Sequence, residues 1–514
     1  MLKKIRVFLA TLVITAFFAF FLDVAQLLPG CFANLASMQA VPALLSANAV
    51  VLAFLVALTL LFGRVYCSII CPLGILQDIL GRLAERFTRK KRTFRHAPPR
   101  TKLRWGIAAV AIIGSLTGVP VVLSLLDPYS VFGRMATHIA LPVVLAFNNT
   151  LETILTRFGK YVMYPMDASP FSLAALTTAV ISLLAVGLPV WKHGRAYCNT
   201  ICPVGTILGL LGNRPIFGTR FDDATCSGCG KCEAACKAKC LDSENRRIDY
   251  SRCIGCMNCL DRCSCDALRF SFLSSLVPRQ KKTAQASGES PSDQSRRTFL
   301  RNTLGLATVP ALPSFAIAAD KGQMALSPAR QHPILPPGAQ SMAHFTARCT
   351  ACHACVGKCP SRVLQPALLE YGLGGILQPL MAYTKGFCNY DCVICTQTCP
   401  SGALQSLTTA QKHMTQIGRV VLIEKLCIVR TNGTHCGACA EHCPTQAVTM
   451  VPFVDGVTIP VVNPDICVGC GGCEYICPTR PYRAIYVEGS TVQGVRKTFQ
   501  KELHKESRID SFGF

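Results

Sequence analysis

The chain has 514 residues, of which 50% are hydrophobic and 31 are cysteine, and its formal net charge is +24. The basic residues crowd beside apolar stretches, and no helix-turn-helix, RRM or zinc-finger pattern is present, so the charge indicates a membrane surface and excludes a nucleic-acid partner. An odd number of cysteines in so long a chain excludes the disulfide framework of a small secreted domain. Almost all of them fall in groups of four whose short spacings are those of iron–sulfur ligands.

Four apolar runs in the first 215 residues are each long enough to cross a bilayer, which takes ~20 residues. They cover residues 5–22, 41–62, 105–126 and 170–191. A further run, 139–147, is short and is interrupted by Pro142, which predicts an interfacial or re-entrant helix. Residues 1–215 are therefore predicted to form a four-helix transmembrane bundle.

Charge predicts the orientation of this bundle. The loop 63–104 carries eleven Lys and Arg against two acidic residues, whereas the loop 127–169 carries three Lys and Arg. The positive-inside rule then predicts that the first loop is cytoplasmic and the second is outside. The N-terminal MLKKIR is also predicted to be cytoplasmic, and because it lacks a small-residue cleavage site we expect an uncleaved anchor.

Two copies of one motif follow the second and fourth runs. GRVYCSIICPLG begins at Gly63 and GRAYCNTICPVG begins at Gly194. C-x3-C-P is the second half of a ferredoxin run, so four such thiols could bind one 4Fe–4S cluster at the membrane boundary. A redox-active or copper-handling thiol set is an equal alternative, since soft thiolates also bind Cu(I), and a merely duplicated helix pair is the third. The thiols concerned are Cys67, Cys71, Cys198 and Cys202.

Residues 216–275 contain two complete ferredoxin runs, CSGCGKCEAAC and CIGCMNCLDRC. In a small two-cluster ferredoxin fold the fourth cysteine of each run binds the other cluster. Zinc is the alternative, but zinc sites use paired C-x2-C units and not runs of four. The predicted ligand sets are Cys226, Cys229, Cys232 with Cys263, and Cys253, Cys256, Cys259 with Cys236; Cys240 and Cys265 are predicted to be ordinary thiols.

A second export signal lies in the middle of the chain. Residues 276–294 are polar and rich in serine, which predicts a flexible linker. SRRTFLR and a weakly apolar segment follow over 295–319, and the Arg296-Arg297 pair is typical of a twin-arginine signal, with a chance pair of arginines as the alternative. Because the preceding domain is predicted to be cytoplasmic, the segment would carry the rest of the chain to the periplasm. It is then either cleaved near Ala316-Ile317-Ala318 or kept as a fifth span.

Residues 320–490 contain four more cysteine groups, each ending in Cys-Pro, ahead of a tail over 491–514. Their sixteen thiolates predict four further 4Fe–4S clusters in two ferredoxin-like modules. The stretch from Cys349 to His353 also matches the c-type haem motif C-x-x-C-H, but a complete ferredoxin run surrounds it, which favours iron–sulfur. The predicted ligands are Cys349, Cys352, Cys355, Cys359, Cys388, Cys392, Cys395, Cys399, Cys427, Cys436, Cys439, Cys443, Cys467, Cys470, Cys473 and Cys477.

The first half of the chain, with four predicted spans, two C-x3-C-P motifs and paired clusters, resembles the NapH family of membrane quinol dehydrogenase components. The second half, with SRRTFLR, CTQTCPSGAL and CVGCGGCEYICP, resembles the NapG family of exported four-cluster proteins. The resemblance implies that the first cysteine group of residues 320–490 shares a module with the fourth, and the second with the third. The implied sets are Cys349, Cys352, Cys355 with Cys477; Cys467, Cys470, Cys473 with Cys359; Cys388, Cys392, Cys395 with Cys443; and Cys427, Cys436, Cys439 with Cys399.

The predicted fold class is a multi-domain membrane protein: a four-helix transmembrane bundle with α+β ferredoxin-like domains, one of two clusters and one of four. The expected function is electron transfer from the membrane quinone pool, with (mena)quinol as donor, through six 4Fe–4S clusters to a periplasmic reductase, such as nitrate reductase, or a cytochrome. The C-x3-C-P pairs would add a seventh cluster. The alternative is a maturation or copper-reducing factor for a periplasmic metalloenzyme.

Three ionisable residues after the third apolar run, Asp127, Arg134 and His138, are the predicted quinone-site residues. Solvated loop positions are an equal alternative for them. The expected location is the bacterial inner membrane, with the two-cluster domain in the cytoplasm and the four-cluster domain in the periplasm.

Overall fold

The computed structural model describes residues 1–24, 26–28, 30–89, 92–166, 173–273 and 330–497. The predicted linker 276–294, the predicted twin-arginine segment 295–319 and the chain beyond residue 497 lie outside these described residues. Three units follow one another, and they are called here the helical unit (2–211), the first cysteine-rich unit (217–273) and the second cysteine-rich unit (330–497).

Prolines and one polar cap set where several helices of the helical unit begin. Pro72, Pro128 and Pro203 each lie in the first turn of a helix, where the missing N–H has no intrahelical partner to lose. Asn48 caps its helix by accepting a hydrogen bond from Val51 N. The helices are α1 (Leu2–Leu22), α2 (Cys31–Ser37), α3 (Ala40–Leu45), α4 (Ala49–Phe62), α5 (Tyr66–Ile69), α6 (Pro72–Thr88), α7 (Thr101–Leu116), α8 (Val121–Leu126), α9 (Pro128–Met135), α10 (Leu141–Arg157), α11 (Leu173–His193), α12 (Ala196–Thr200) and α13 (Pro203–Leu211).

Within the described residues, three helices are long and apolar enough to cross a membrane: Leu2–Leu22, Pro128–Arg157 and Leu173–His193. The first and third match the predicted runs 5–22 and 170–191. The other two predicted runs are interrupted, because 41–62 is divided between α3 and α4 and 105–126 is divided between α7 and α8. Three apolar helices indicate membrane association, while the predicted set of four spans is reproduced only in part.

The expectation of a short interfacial or re-entrant helix at 139–147 is wrong. α9, a π-helical segment at Ala136–Ala140 and α10 continue as one 30-residue helix, Pro128–Arg157. Pro142 lies in the first turn of α10, directly after the π-helical segment, whose wider hydrogen-bond spacing accommodates the missing N–H. The proline therefore does not end the helix.

The first cysteine-rich unit combines short strands with one-turn helices, as expected for an α+β ferredoxin-like domain. β1 (Phe217–Phe221) pairs antiparallel with β4 (Leu268–Phe272), and β2 (Leu241–Asp242) pairs with β3 (Arg247–Ile248). The helices α14 (Lys231–Ala234) and α15 (Asn258–Arg262) each lie inside one cysteine run.

The second cysteine-rich unit contains two similar modules joined by one long antiparallel pair of strands. β5 (Leu364–Pro366) pairs with β6 (Pro379–Met381) in the first module, β8 (Val448–Pro452) pairs with β9 (Thr458–Val462) in the second, and β7 (Thr415–Leu422) pairs with β10 (Ile485–Val495). Val420 faces Val487 across the long pair, and both are buried. The helices are α16 (Met342–Arg348), α17 (Ala354–Lys358), α18 (Ile394–Thr398), α19 (Thr409–Met414), α20 (Ile428–Asn432), α21 (Ala438–Glu441) and α22 (Gly472–Ile476).

The two cysteine-rich units contact opposite ends of α1. At its N-terminal end, Lys3 forms an ion pair of 2.5 Å with Asp261 of the first unit. Directly after its C-terminal end, Asp23 lies 3.8 Å from Lys358 of the second unit. A helix of 21 residues is roughly 30 Å long at 1.5 Å per residue. The helical unit therefore separates the two cysteine-rich units by about that length.

Candidate functional site

The two C-x3-C-P motifs form a reciprocal pair inside the helical unit. The Arg64 guanidinium donates to the carbonyl of Cys198 at 2.8 Å, and the Arg195 guanidinium donates to the carbonyl of Cys67 at 2.7 Å. Each motif therefore uses its arginine to hold the first cysteine of the other motif. Both arginine side chains are fully buried, so these hydrogen bonds fix the relative position of the two copies.

The glycine that ends each motif makes room for this exchange. A Cβ atom on Gly74 would lie closer than 3.0 Å to the Cys67 carbonyl and to the Arg195 guanidinium. A Cβ atom on Gly205 would lie as close to the Cys198 carbonyl and the Arg64 guanidinium. The recurrence of Gly and Arg in both motifs is thus explained by one packing arrangement used twice.

The four motif thiols, which we call the motif site, are brought together and are buried, with 2–4% exposure. Their charges interact with one another across the two motifs. Each sulfur also has a nearby N–H donor, as thiolates bound to an iron–sulfur cluster require. The donors are the Arg64 guanidinium at 3.9 Å for Cys67, the Gly74 amide for Cys71, the Gln77 amide at 3.1 Å for Cys198 and the Gly205 amide at 3.3 Å for Cys202. The residues present therefore fit a cluster.

A buried ionic group connects the motifs to the first cysteine-rich unit. Asp78 on α6 contacts Arg195 at 2.9 Å, Arg6 at 3.2 Å and Lys237 at 3.3 Å. Burial alone would raise the pKa of Asp78, but the cations, Arg195 first among them, hold it well below its usual range. Asp78 is therefore a permanent anion that links α1, the second motif and the Cys236–Cys240 loop.

The structure groups the eight predicted ligands of the first cysteine-rich unit as expected. Two small, almost wholly apolar cavities are each lined by one predicted set of four thiols. Site 1 comprises Cys226, Cys229, Cys232 and Cys263; site 2 comprises Cys236, Cys253, Cys256 and Cys259. Sequence reasoning missed that the two remaining thiols line these cavities as well: Cys240 Sγ lies 3.6 Å from Cys236 Sγ, and Cys265 Sγ lies 3.8 Å from Cys263 Sγ.

The ligand sets implied by resemblance for the second cysteine-rich unit are wrong. The structure pairs the first cysteine group with the second and the third with the fourth, because each module is built from neighbouring groups joined by its own short hairpin, β5–β6 or β8–β9. Site 3 comprises Cys349, Cys352, Cys355 and Cys399; site 4 comprises Cys359, Cys388, Cys392 and Cys395; site 5 comprises Cys427, Cys436, Cys439 and Cys477; and site 6 comprises Cys443, Cys467, Cys470 and Cys473.

The haem alternative for the C-x-x-C-H stretch does not fit the structure. His353 is fully buried, and both ring nitrogens have protein partners: Nδ1 lies 2.6 Å from His138 Nε2, and Nε2 lies 2.7 Å from the Leu377 carbonyl. Neither nitrogen is available to an iron atom. Within the described residues, no group of three or more His, Cys, Asp or Glu is arranged to hold a single metal ion.

One face of the helix Pro128–Arg157 holds the loop that carries the site 3 ligands. The Arg134 guanidinium donates to the Ala351 carbonyl at 3.2 Å, Thr137 Oγ1 donates to the His353 carbonyl at 3.4 Å, and His138 contacts the His353 ring. Gly133 lies under the same loop, because a Cβ atom there would clash with the Cys352 carbonyl. These positions follow an i, i+1, i+4, i+5 pattern and therefore share one helix face.

The three predicted quinone-site residues are buried rather than solvated. Asp127, Arg134 and His138 are only 0–4% exposed. The Asp127 carboxylate accepts hydrogen bonds from the Ser130 amide at 2.9 Å and the Ser130 hydroxyl at 2.7 Å. The expectation of solvated loop positions is therefore wrong, and the three residues form a polar layer beside site 3.

Comparison with known proteins identifies the chain by its cysteine-rich parts. A model described as "4Fe-4S binding domain" matches residues 47–95 and 174–220, which contain the two C-x3-C-P motifs, and one described as "4Fe-4S dicluster domain" matches residues 434–480. The ferredoxin-type proteins NapF and NapG of Escherichia coli K12 are 28% and 29% identical over 30% and 35% of this chain, covering 85% and 80% of their own lengths. The methylamine utilization ferredoxin-type protein MauM of Methylorubrum extorquens is 32% identical over 36% of this chain and 86% of its own length.

The chain belongs to this family of ferredoxin-type proteins. The predicted resemblance to NapG is thereby confirmed, and an electron-transfer role through iron–sulfur clusters follows for the chain. No solved structure gives a significant match.

In this ferredoxin-type protein, side chains and backbone contacts link neighbouring thiol sets. Arg64 lies 3.9 Å from Cys67 Sγ of the motif site and donates at 3.1 Å to the carbonyl of Ser251, two residues before Cys253 of site 2. Asp127 interacts electrostatically with Cys352 of site 3 and with Tyr66. Tyr66 in turn interacts with Cys71 of the motif site.

These links continue through the second cysteine-rich unit. The charges of Cys355 and Cys395 interact between sites 3 and 4, and the Cys388 amide of site 4 donates to the Cys470 carbonyl of site 6 at 2.9 Å. Sites 5 and 6 share one apolar core. Site 5 is therefore the set furthest along these links from the helical unit.

Proposed function

We propose that this protein is a membrane quinol dehydrogenase, which oxidises a quinol of the menaquinol type within the helical unit. Electrons leave through the second cysteine-rich unit to a periplasmic reductase or cytochrome. The observation that carries the proposal is the buried polar layer of Asp127, Arg134 and His138, which contacts the site 3 loop directly. A quinol oxidised beside this layer would lie next to site 3, whose cluster would be its one-electron acceptor.

The polar layer has the chemistry that quinol oxidation needs. A quinol gives up two protons and two electrons, and the bound clusters accept the electrons one at a time. The Asp127 carboxylate and the His138 imidazole are the buried groups on this helix able to take the protons. Arg134 holds its position through the carbonyls of Ser124 at 2.9 Å and Leu125 at 3.1 Å, and supplies a positive charge beside the departing protons.

The motif site is proposed to hold a seventh 4Fe–4S cluster. The buried thiols, the N–H donor to each sulfur and the family match over both motifs support this assignment over a copper-handling one. A sealed site suits electron transfer, whereas copper handling would need an exposed thiol.

The two cysteine-rich units are proposed to lie on opposite sides of the bacterial inner membrane. The distribution of Lys and Arg and the contacts at the two ends of α1 support a cytoplasmic first unit and a periplasmic second unit. A periplasm-dependent reporter enzyme fused after Phe514 should be active, and activity of a cytoplasm-dependent reporter at that position would overturn the assignment.

Steady-state oxidation of a menaquinol analogue by the detergent-purified, full-length protein tests the proposed activity. Asp127→Asn and His138→Gln should each lower turnover by about 100-fold or more, the usual scale for loss of a proton acceptor, while the iron content is unchanged. Glu152→Gln on the same helix, outside the polar layer, is the matched control. Absence of quinol oxidation, together with Cu(II) reduction that requires Cys67 and Cys198, would favour the maturation role instead.

A further inference from the structure

One buried lysine lies at the junction of the two modules of the second cysteine-rich unit. Lys412 on α19 is 7% exposed, and its ammonium group is 3.4 Å from Cys388 Sγ, a ligand of site 4. It also donates to the carbonyls of Asn389 and Cys392. All three ammonium hydrogens thus have acceptors.

The same ammonium group faces the neighbouring module. Its charge interacts with Cys470 of site 6, and the Cys388 amide bonds the Cys470 carbonyl across the junction. Tyr383 closes the junction from the other side, because its hydroxyl donates to the Gly469 carbonyl at 2.5 Å and its ring lies where a Cβ atom on Gly471 would be. Because Lys412 is itself largely buried, the field of its charge is screened less than that of an exposed lysine.

We propose that Lys412 tunes the redox properties of site 4: it raises the reduction potential of the cluster there and so draws electrons from site 3 to the module junction. Reduction adds one negative charge to a 4Fe–4S cluster, and a fixed positive charge on a ligand sulfur stabilises the reduced form. In the step concerned, one electron leaves the cluster at site 3 and one electron is gained at site 4. Lys412 acts through Cys388 and is a positioning residue rather than a catalytic one.

The inference is tested by EPR-monitored redox titration of the full-length protein with dithionite and mediators, which requires no quinol activity. Lys412→Met should make one cluster harder to reduce by at least tenfold in its reduction equilibrium, which is about 59 mV for a one-electron couple. Lys412→Arg, which keeps the charge, should restore most of this shift. Lys425→Met is the matched control, because Lys425 is exposed and two residues from the ligand Cys427, and it should shift no cluster by that amount.

Two results would overturn the proposal. One is a Lys412→Met protein with full iron content and unchanged cluster potentials. The other is loss of one cluster's iron from both Lys412→Met and Lys412→Gln but not from Lys412→Arg, which would make Lys412 a residue needed for cluster binding. Because dithionite reduces the clusters in this experiment, both results can be measured even if the protein does not oxidise quinol.

Discussion

Replacing Gly133 by alanine should weaken the contact between the helical unit and site 3. The added methyl group would lie closer than 3.0 Å to the Cys352 carbonyl and 2.8 Å from the Phe21 ring, so the site 3 loop must retreat from the helix. The retreat lengthens the hydrogen bond between Arg134 and the Ala351 carbonyl and the contact between His138 and His353.

The size of the effect follows from the contacts that are lost. A hydrogen bond from a charged group contributes about 1.5–3 kcal/mol and a neutral one about 1 kcal/mol, so the Arg134, Thr137 and His138 contacts together contribute about 3–5 kcal/mol. At about 1.4 kcal/mol per tenfold, the docked state loses roughly 100- to 4000-fold in population relative to undocked states.

Stopped-flow bleaching of the clusters by a menaquinol analogue measures the consequence. We expect Gly133→Ala to slow the reduction of clusters in the second cysteine-rich unit by at least about tenfold. This is less than the estimated loss in population of the docked state. Reduction by dithionite and iron content should be unchanged. Gly187→Ala is the control, because a Cβ atom on that helical glycine meets nothing within 4 Å. Wild-type quinol kinetics in Gly133→Ala would refute the inference that electrons pass through this contact.

Two further substitutions test the motif region. Asp78→Asn leaves three buried or half-buried cations without their anion, so we expect the free energy of unfolding to fall by about 3–5 kcal/mol and the clusters to bleach at a lower temperature. An unchanged bleaching temperature would contradict the role given to this ionic group. Glu424→Gln, in an exposed ion pair, is the control. Gly74→Ala should displace Cys67 and lower the iron content from about 28 to about 24 atoms per chain, at four per cluster. Gly106→Ala, on an open helix face, should leave the iron content unchanged. If Gly74→Ala retained about 28 atoms, Gly74 would be dispensable for the motif site.

The cysteine runs were the most predictable part of the molecule because their ligand spacing is local. Sites 1 and 2 group as the two-cluster pattern predicts. The grouping of sites 3 to 6 was predicted wrongly, because it depends on which runs share a hairpin module, and a run such as that ending at Cys359 carries no mark of its partner. The β5–β6 and β8–β9 pairs settle it only in three dimensions.

Other features depend on contacts between distant parts of the chain. Asp127 and Arg134 read as loop residues in the sequence. They are buried because α6, α11 and the second cysteine-rich unit pack against the start of the helix Pro128–Arg157. The reciprocal contacts of Arg64 and Arg195 had a usable signal, since arginine recurs at the same position in both motifs. The helix prediction around Pro142 was wrong, because the free-energy cost of a proline within a helix depends on the hydrogen bonding of the preceding turn.

The proposed function requires that quinol delivers electrons into the iron–sulfur sites of this chain. The direct measurement is freeze-quench EPR of the anaerobic full-length protein after mixing with a menaquinol analogue. We expect signals of reduced 4Fe–4S clusters to appear with quinol alone. Clusters that dithionite reduces but that stay oxidised with excess quinol would contradict it.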